Sequence, residues 1–510
     1  MLLRRSFCRL PTPASWISRV SPPMPLRAKV TNPAFGAAAK MSTAPELPKE
    51  LPGDEPDDVL FSSLYGVRLI ELNRPKKLNS LNGSMARKIL PRLKVGDLDP
   101  AMCDNVLVAK PEWEKSQLAN IVMLSGAGAK ALCAGGDVAS LALQNEQGPE
   151  GQQKSTDFFG LEYRLDHIIA TYTKPFISVM DGITMGGGVG LSVHAPFRIA
   201  TERTVFAMPE TTIGFFPDVG GSFFLPRLDG ELGTYLALTS ERLNGVQALY
   251  AGVATHYFHS SVLSNLTARL AELVFRDHAS LAERLDLVNK TMAEFSVGLP
   301  PLEQEPIHLA GSLRSAIDRC FKHKTVEEIF RALEQETVQK EWAQKTLETL
   351  SSRSPTSLKV TLRQMRVGKQ WSISETFQRE YHIAAQFMKH PDFVEGVKAR
   401  LMSKPPRQAT WQPATLEEVT SDAVDAFFKL AEGESRLALF NKTDYKQYPH
   451  VYGLPSEAEI EKFVRDSSES ASKTVADFVE KWGHKEGVRE KVAEVLARRT
   501  VQTPEGLRWE

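Results

Sequence analysis

Three short glycine-containing segments of this 510-residue chain, two of which also carry acidic residues, are suited to acyl-transfer chemistry. Glycine-rich turns between a strand and a helix point unpaired backbone N–H groups into a cleft, where they can stabilise the oxyanion that forms when a thioester is attacked. Two such turns supply a hole with two donors. The alternative is that each glycine only permits positive φ in a tight turn. The segments are Leu132–Asp137 (LCAGGD), Gly182–Gly190 (GITMGGGVG) and Met208–Asp218 (MPETTIGFFPD), the last of which runs into Gly220 and Gly221.

Other glycine or nucleophile motifs do not complete their patterns. Gly126–Lys130 lacks the spacing and the following Ser or Thr of a phosphate loop, and Gly186–Gly190 does not complete GxGxxG. No GxSxG elbow surrounds any serine, so a serine hydrolase of the α/β-hydrolase kind has no nucleophile here. Cys133 is a candidate thiolate, but no basic residue beside it lowers its pKa, and a buried inert thiol is the favoured interpretation.

The elements that position these segments alternate between strand and helix patterns. This order predicts an α/β fold with parallel strand pairing, in which ligand sites lie at the carboxyl ends of the strands. From about residue 310 helical periodicity replaces the strand signals, so we expect a largely helical C-terminal region. The expected strands are Val67–Asn73, Asn120–Ser125 and Phe176–Met180, and the expected helices cover 84–94, 155–171, 326–338, 373–388 and 393–402, with a linker at 403–411 and further helices within 455–498.

Composition favours a water-soluble globular protein with a separate leader. Apolar residues make up 42% of the chain, charged residues 24%, and no uninterrupted apolar run is long enough to span a bilayer. Residues 1–45 carry seven basic residues and no acid, which is typical of a mitochondrial transit peptide and linker. The alternative is a basic arm that binds nucleic acid or membrane. Because the full chain nets zero charge, removing that segment leaves about −7, which disfavours nucleic-acid binding.

Cysteine and histidine usage gives no sign of a metal or a disulfide framework. The four cysteines show no CxxC spacing, and none of the eleven histidines forms an HExxH pair. We therefore expect a reduced compartment and no metal or other cofactor.

All three segments, in order and spacing, resemble those of the crotonase (enoyl-CoA hydratase/isomerase) superfamily. Within it, Ile183–His194, Phe206–Thr211 and Gly214–Gly221 most resemble the branch that hydrolyses 3-hydroxyisobutyryl-CoA in valine catabolism. The resemblance extends through Ser354–Leu358 and Asp392–Ala399, and so covers roughly residues 60–415. It implies an α/β crotonase fold, a spiral core of ββα units with a helical C-terminal region. Residues 97–118 look like an insertion, and the last hundred or so residues exceed the length usual in the family.

The resemblance also implies a role for each site residue. The backbone N–H groups of Ala134 and Gly187 would form the oxyanion hole, with Gly135, Gly136 and Gly186 lining the substrate site. Glu210 would be the catalytic carboxylate, Asp218 a second acid near the substrate's 3-hydroxyl, and Glu162 a substrate contact. The plainer interpretations are a solvated helix charge for Glu162 and a capping or turn residue for Asp218. Arg74, Lys76 and Lys77 are basic candidates for the CoA phosphates, although surface charge is their default explanation.

One position separates two chemistries of the superfamily. The resemblance implies that hydratases of the superfamily use two carboxylates, the second of which is a glutamate just after the glycine cluster. This chain has Gly190 at that position. Loss of that acid disfavours hydration of a double bond and favours attack on the thioester carbonyl. An enoyl-CoA isomerase or hydratase stays as an alternative.

The expected organisation has four parts: the leader (1–45), a crotonase-like core (57–300), a helical region of the hydrolase (301–415) and a charged helical extension (416–510). The expected location is the mitochondrial matrix, with an acyl-CoA as substrate and no membrane partner. Neighbouring subunits of a homo-oligomer or the chain's own C-terminal helices would close the site. Fungal and plant relatives of this hydrolase are proteins of the mitochondrial small ribosomal subunit, which leaves a ribosome-bound component open as a second role.

Overall fold

The computed structural model of the protein describes residues 45–94, 113–430, 436–467, 469–504 and 506–510. Residues 45–510 form one compact unit. The expected leader up to residue 44 and most of the expected insertion, residues 97–112, lie outside the described residues. Those two expectations, and the division of the chain near residues 300 and 415, stay predictions.

The core contains two sheets, and the chain alternates between them from β3 to β8. The larger sheet has the order β1-β2-β3-β5-β7-β10, and all its pairs are parallel except β1 with β2. The smaller sheet has the order β4-β6-β8-β9, with β4, β6 and β8 parallel. The strands are β1 (Val59–Leu64), β2 (Val67–Leu72), β3 (Ile121–Gly126), β4 (Ala131–Cys133), β5 (Phe176–Met180), β6 (Ile183–Met185), β7 (Phe197–Ala200), β8 (Val205–Ala207), β9 (Leu243–Asn244) and β10 (His256–Tyr257).

Consecutive strands therefore form pairs that cross from one sheet to the other. The pairs β3–β4, β5–β6 and β7–β8 each place one strand in the large sheet and the next in the small sheet, and each pair is followed by a helical segment. This repeated ββα unit confirms the predicted α/β core with parallel pairing. The strands β3 and β5 are almost fully apolar and buried, as strands covered on both faces must be.

Helices fill the rest of the core and most of the C-terminal half. Several begin with a capping box, such as Ser372 with Glu375, which satisfies the free N–H groups of the first turn. The α-helices are Gly83–Leu93, Val138–Asn145, Pro149–Ala170, Gly187–Val193, Gly221–Phe224, Leu232–Thr239, Gln247–Tyr250, Leu263–Ala271, Leu281–Ala293, Gly311–Phe321, Val326–Glu334, Lys340–Ser351, Pro355–Gly368, Ile373–Lys389, Pro391–Val397, Ser421–Ala426, Glu457–Ser467, Ala471–Lys481 and Val488–Arg499. The predicted helical C-terminal region is thereby confirmed, and the expected helix 393–402 is an α-helix followed by a π-helical turn, Lys398–Met402.

The last described part of the chain packs on the core through buried ion pairs. Arg498, whose side chain is 3% exposed, pairs with Glu457 and Glu494, and Lys491 pairs with Asp229 of the core at 2.8 Å. A hairpin of β11 (Thr500–Thr503) and β12 (Gly506–Trp509) follows, which the sequence patterns did not predict. Among the described residues, no helix combines the length and the apolar composition needed to cross a bilayer.

Candidate active site

The small sheet brings the three glycine and acid segments together. Strands β4, β6 and β8 are parallel neighbours, with Cys133 opposite Thr184 and Met185 opposite Ala207. Each strand ends at the same edge of the sheet: β4 and β6 end within the first and second segments, and β8 ends immediately before the third. The segments are far apart in sequence but meet in space because the carboxyl ends of parallel strands meet.

A cavity of about 540 Å³ opens at this edge, and all eight residues predicted from the sequence line it. Its lining carries three buried carboxyl groups and three arginines, of which one is buried and two are exposed. The predicted residues in the lining are Ala134, Gly135, Gly136, Glu162, Gly186, Gly187, Glu210 and Asp218, and the arginines are Arg242, Arg353 and Arg400.

The backbone geometry corrects one predicted donor. The N–H of Ala134 donates to the carbonyl of Leu78 at 3.0 Å, so it is not available to a ligand. The N–H of Leu81 donates to the carbonyl of Gly135, and the carbonyl of Leu81 accepts from the N–H of Asp137. Because these two hydrogen bonds flank Gly136, the N–H of Gly136 points away from Leu81. The Gly136 nitrogen lies 3.3 Å from where a Cβ on Gly187 would be. The donor that this segment supplies is therefore the N–H of Gly136, two residues after the predicted Ala134.

The glycines of the second segment are required by close approach as well as by backbone conformation. Gly186 has φ of 47°, and a Cβ there would lie 2.9 Å from Oε1 of Glu210. A Cβ on Gly187 would lie 2.3 Å from Oε1 of Glu162. Gly187 begins a helix, and the N–H groups of a helix's first residues have no acceptor within the helix. Its N–H is thus free to bind a ligand oxygen beside the Gly136 N–H.

Glu210 begins the short 3₁₀ helix Glu210–Ile213 directly after β8. It is 5% exposed, and its Oε2 has no hydrogen-bond partner among the described residues. Burial, and then the neighbouring Asp218, raise the pKa of Glu210 well above its ordinary value. A carboxyl group in this state is a stronger base than an exposed glutamate.

Asp218 is held by a tyrosine that the sequence patterns did not single out. The hydroxyl of Tyr163 donates to Oδ2 of Asp218 at 2.7 Å, with both residues buried. Burial raises the pKa of Asp218 to about 7, and the hydrogen bond from Tyr163 opposes that rise. The backbone of Asp218 does begin a turn, since its carbonyl accepts from the N–H of Gly221 at 2.7 Å, but its buried carboxyl group faces the cavity and does not cap a helix.

Glu162 and Asp166 lie one turn apart on the helix Pro149–Ala170, and both are buried. Burial raises the pKa of Glu162, with Asp218 adding to the effect, and burial followed by Glu162 raises the pKa of Asp166. Glu162 lines the cavity, so it is not a solvated surface charge. A Cβ on Gly190 would lie 2.6 Å from Oδ2 of Asp166, so the carboxyl of Asp166 fills the space that a side chain at 190 would need.

The structure does not support Cys133 as a nucleophile, and it does not place the basic candidates Arg74, Lys76 and Lys77 in the cavity lining. Burial raises the pKa of Cys133 to about 12, which leaves it as an inert thiol. Arg74 does not line the cavity but pairs with Asp137 at 3.1 Å, and Lys77 pairs with the same carboxylate at 3.4 Å. Lys76 is also absent from the cavity lining. Among the described residues no group of three or more His, Cys, Asp or Glu is placed to hold a metal ion.

The outer wall comes from the chain's own C-terminal half. Arg353 precedes the helix Pro355–Gly368, and Arg400 and Leu401 belong to the π-helical turn. Of the two ways of closing the site that the resemblance left open, the chain's own helices thus supply a wall in the structure. Neither Arg353 nor Arg400 belongs to a local motif, so sequence spacing carries no signal for either residue.

Comparison with known proteins agrees with this geometry. The family model for enoyl-CoA hydratase/isomerase matches residues 67–428. The small ribosomal subunit protein mS47 of Neurospora crassa is 52% identical over 95% of this chain and 94% of its own length. The mitochondrial 3-hydroxyisobutyryl-CoA hydrolase of Xenopus laevis is 43% identical over 71% of this chain and 86% of its own. A carnitinyl-CoA dehydratase structure from Mycobacterium thermoresistibile superposes with a TM-score of 0.61, at 34% identity, over 76% of this chain and all of that one.

The site and the fold together define a crotonase-type protein with a cavity of about 540 Å³ at the edge of the small sheet. The chain belongs to the enoyl-CoA hydratase/isomerase family.

Proposed function

We propose that this protein is a mitochondrial hydrolase that cleaves 3-hydroxyisobutyryl-CoA to 3-hydroxyisobutyrate and CoA without a metal or other cofactor. The observation that carries the proposal is the convergence of two free N–H groups, on Gly136 and Gly187, with the buried carboxyl groups of Glu210 and Asp218 in one cavity. The mitochondrial hydrolase of Xenopus laevis supports the choice of substrate and compartment.

In the proposed reaction, the thioester oxygen accepts hydrogen bonds from Gly136 and Gly187, which stabilise the negative charge of the tetrahedral intermediate. Glu210 removes a proton from the attacking water, or attacks the carbonyl itself and forms an anhydride that water then cleaves. When Glu210 acts as a base, the C–S bond then breaks and the CoA thiolate takes the proton from Glu210. When Glu210 attacks, the C–S bond breaks as the anhydride forms, and the water that cleaves the anhydride restores the Glu210 carboxylate and supplies the proton for the thiolate. Asp218 accepts a hydrogen bond from the 3-hydroxyl and so selects the hydroxylated acyl group.

The site is less suited to hydration of a double bond. The resemblance to the family implies that a hydratase needs a second carboxylate just after the glycine cluster. This chain has Gly190 there, and Asp166 and Val219 leave no room for a side chain at that position. The test is CoA release from purified protein lacking the basic leader. We expect release from 3-hydroxyisobutyryl-CoA, and hydration of crotonyl-CoA at a comparable rate would contradict the proposal.

Two variants separate the roles of the acids. Glu210→Gln should lower turnover by roughly 10² to 10⁴ with little effect on binding, as loss of a general base does. Asp218→Asn should impair hydrolysis of the 3-hydroxy substrate far more than that of isobutyryl-CoA. Equal losses on both substrates would place Asp218 in the general chemistry, and near-normal turnover in Glu210→Gln would overturn the mechanism.

A second candidate role is membership of the mitochondrial small ribosomal subunit. Its support is that the likeness to the mS47 protein of Neurospora crassa covers 95% of this chain, whereas the family model ends at residue 428. That relative therefore shares the extension that packs on the core here. Co-sedimentation with the small subunit at moderate salt tests this role, and sedimentation of the whole pool as free protein would exclude it. CoA release and co-sedimentation are separate measurements, so either role can be supported or excluded without the other.

A further inference from the structure

The turn that carries Asp218 contains a strained residue. Val219, directly after Asp218, has φ of 52°, in the left-handed region of backbone conformation. A β-branched residue is disfavoured there because its Cβ atom comes too close to the following carbonyl oxygen. Such a conformation persists only where the surrounding contacts hold it. Val219 is fully buried, so the position of the Asp218 carboxyl group depends on the contacts that keep this turn from relaxing.

The first of these contacts is made by the buried carboxyl group of Glu380, on the helix Ile373–Lys389. Its Oε2 accepts a hydrogen bond from the N–H of Gly220 at 2.7 Å, and its Oε1 accepts one from the N–H of Ser222 at 2.8 Å. Burial raises the pKa of Glu380 to about 8, and the hydrogen bonds from Ser222 and Gly220 oppose that rise. Glu380 does not line the cavity. It therefore acts on the turn after Asp218 and not on a ligand.

The second contact begins in the C-terminal segment, beyond residue 428, where the match to the family model ends. The imidazole Nε2 of His194 lies 2.9 Å from the carbonyl oxygen of Val219, and its Nδ1 lies 3.1 Å from the hydroxyl of Tyr448. Burial lowers the pKa of His194 to about 4, so the ring is neutral at pH 7. Because a carbonyl only accepts, Nε2 carries the proton and Nδ1 accepts from the Tyr448 hydroxyl. Tyr448 thus fixes the tautomer with which His194 holds Val219.

We propose that Glu380 and Tyr448 are positioning residues for Asp218, and that they set the preference of the site for a 3-hydroxyacyl group over the unsubstituted acyl group. The proposal rests on the function proposed above for Asp218. A hydrogen bond from the substrate's 3-hydroxyl requires the Asp218 carboxyl group at a fixed distance and angle. The oxyanion hole of Gly136 and Gly187 does not include this turn. Loosening the turn should therefore weaken selection of the hydroxyl more than attack on the thioester.

The experiment compares kcat/KM for 3-hydroxyisobutyryl-CoA with kcat/KM for isobutyryl-CoA. Glu380→Gln keeps the shape of the side chain but turns an NH₂ group towards a backbone N–H, and should lower the ratio of the two values roughly tenfold or more, as an unsatisfied buried donor does. Tyr448→Phe keeps the ring that packs on Phe223 and should lower the ratio roughly 2- to 10-fold, the contribution of one neutral hydrogen bond.

Two matched controls should leave the ratio unchanged. Glu375→Gln makes the same change on the same helix, and glutamine serves in its capping box with Ser372 as well as glutamate does. Tyr445→Phe makes the same change in the same segment as Tyr448, and the hydroxyl that it removes bonds Ala170 O instead of the turn. A fall in the ratio in either control as large as in its partner variant would overturn the proposal.

A rescue separates positioning from general stability. In the double variant Glu380→Gln/Val219→Gly, glycine adopts the positive φ without strain, so the ratio should recover part of its loss. The Tm of the double variant should nevertheless fall below that of Glu380→Gln, because loss of a fully buried valine side chain leaves a cavity. A loss of stability alone does not raise the ratio while the Tm falls. A ratio at or below that of Glu380→Gln would overturn the role of the strained turn.

Thioether analogues of the two substrates, which cannot be hydrolysed, separate the positioning role from the hydrolysis. The wild-type protein should bind the hydroxylated analogue more tightly in calorimetry, and Glu380→Gln and Tyr448→Phe should reduce that preference. If this pattern is found but no CoA is released from the thioester, the proposed hydrolysis fails and the positioning role stands. If CoA is released but both variants keep the wild-type preference, or the wild type has none, the positioning role is overturned and hydrolysis stands.

Discussion

The hydrogen bond between Tyr163 and Asp218 should set the pH at which the enzyme works. The Tyr163 hydroxyl donates to Oδ2 of Asp218 at 2.7 Å, and Tyr163→Phe removes this donor while keeping the ring that packs near Phe159 and Phe377. A hydrogen bond to a charged group contributes about 1.5 to 3 kcal/mol, and each pKa unit corresponds to about 1.4 kcal/mol. The Asp218 pKa should therefore rise by roughly one to two units in the variant.

This shift has a predictable effect on activity. Burial already raises the pKa of Asp218 to about 7, so close to half of the groups are ionised at neutral pH. In Tyr163→Phe the ionised fraction at neutral pH should fall to roughly 1–10%. The proposed role of ionised Asp218 is to accept a hydrogen bond from the substrate's 3-hydroxyl. The acidic limb of the kcat/KM profile for 3-hydroxyisobutyryl-CoA should therefore move to higher pH by roughly one to two units.

The assay is the pH profile of kcat/KM, followed by CoA release. Tyr235→Phe is the matched control, because Tyr235 is a buried tyrosine bonded to the carboxylate of Glu241 outside the cavity lining. An acidic limb that stays in place in Tyr163→Phe, or that moves equally in Tyr235→Phe, would refute the reasoning.

Three further variants test the packing around the site. Asp166→Asn should stabilise the protein at alkaline pH by about 1.4 kcal/mol per unit of raised pKa. The folded state holds the Asp166 proton more tightly than the unfolded state, so the native carboxyl loses stability as pH rises. The gain in Tm should vanish near the ordinary pKa of 3.8, and a gain independent of pH would contradict this. Gly190→Ala should lower the free energy of unfolding by about 1 to 3 kcal/mol, because the added methyl group overpacks the site beside Asp166. The double variant Gly190→Ala/Asp166→Ala should recover part of the lost Tm. An unchanged Tm in Gly190→Ala would contradict this. Arg498→Met should cost about 3 to 5 kcal/mol by breaking a buried pair and should speed proteolytic release of the chain beyond residue 455; wild-type cleavage kinetics would argue against it.

The fold was predictable because its signals are local. The strand patterns at Val67–Asn73 and Phe176–Met180 match β2 and β5 almost to the residue. Strand ends carry the three glycine and acid segments, and parallel pairing brings such ends together whatever the loops between them do. The position of Glu210 and Asp218 at a common cavity follows from that one geometric fact. The hairpin Thr500–Trp509 was missed, since its short strands lack a clear alternation of apolar and polar residues.

The finer features of the site depend on contacts that spacing does not encode. The carbonyl of Leu78 occupies the N–H of Ala134, whereas the bridge with Leu81 leaves the N–H of Gly136 without that partner, so the choice of donor depends on contacts with residues 78–81. Arg353 reaches the cavity only because helices far along the chain fold back onto the small sheet. Tyr163 contacts Asp218 across 55 positions of sequence. Such pairings become visible only when the whole chain is folded.

The lining of the cavity also implies an order of events during synthesis. The free N–H groups and the carboxyl groups come from residues 136–218, whereas the wall that faces them includes residues 353–401, which leave the ribosome much later. A nascent chain therefore holds the buried carboxyl groups of the cavity before the wall that faces them has been made. The lining of the cavity is complete only once the chain as far as residue 401 has emerged and packed against the small sheet.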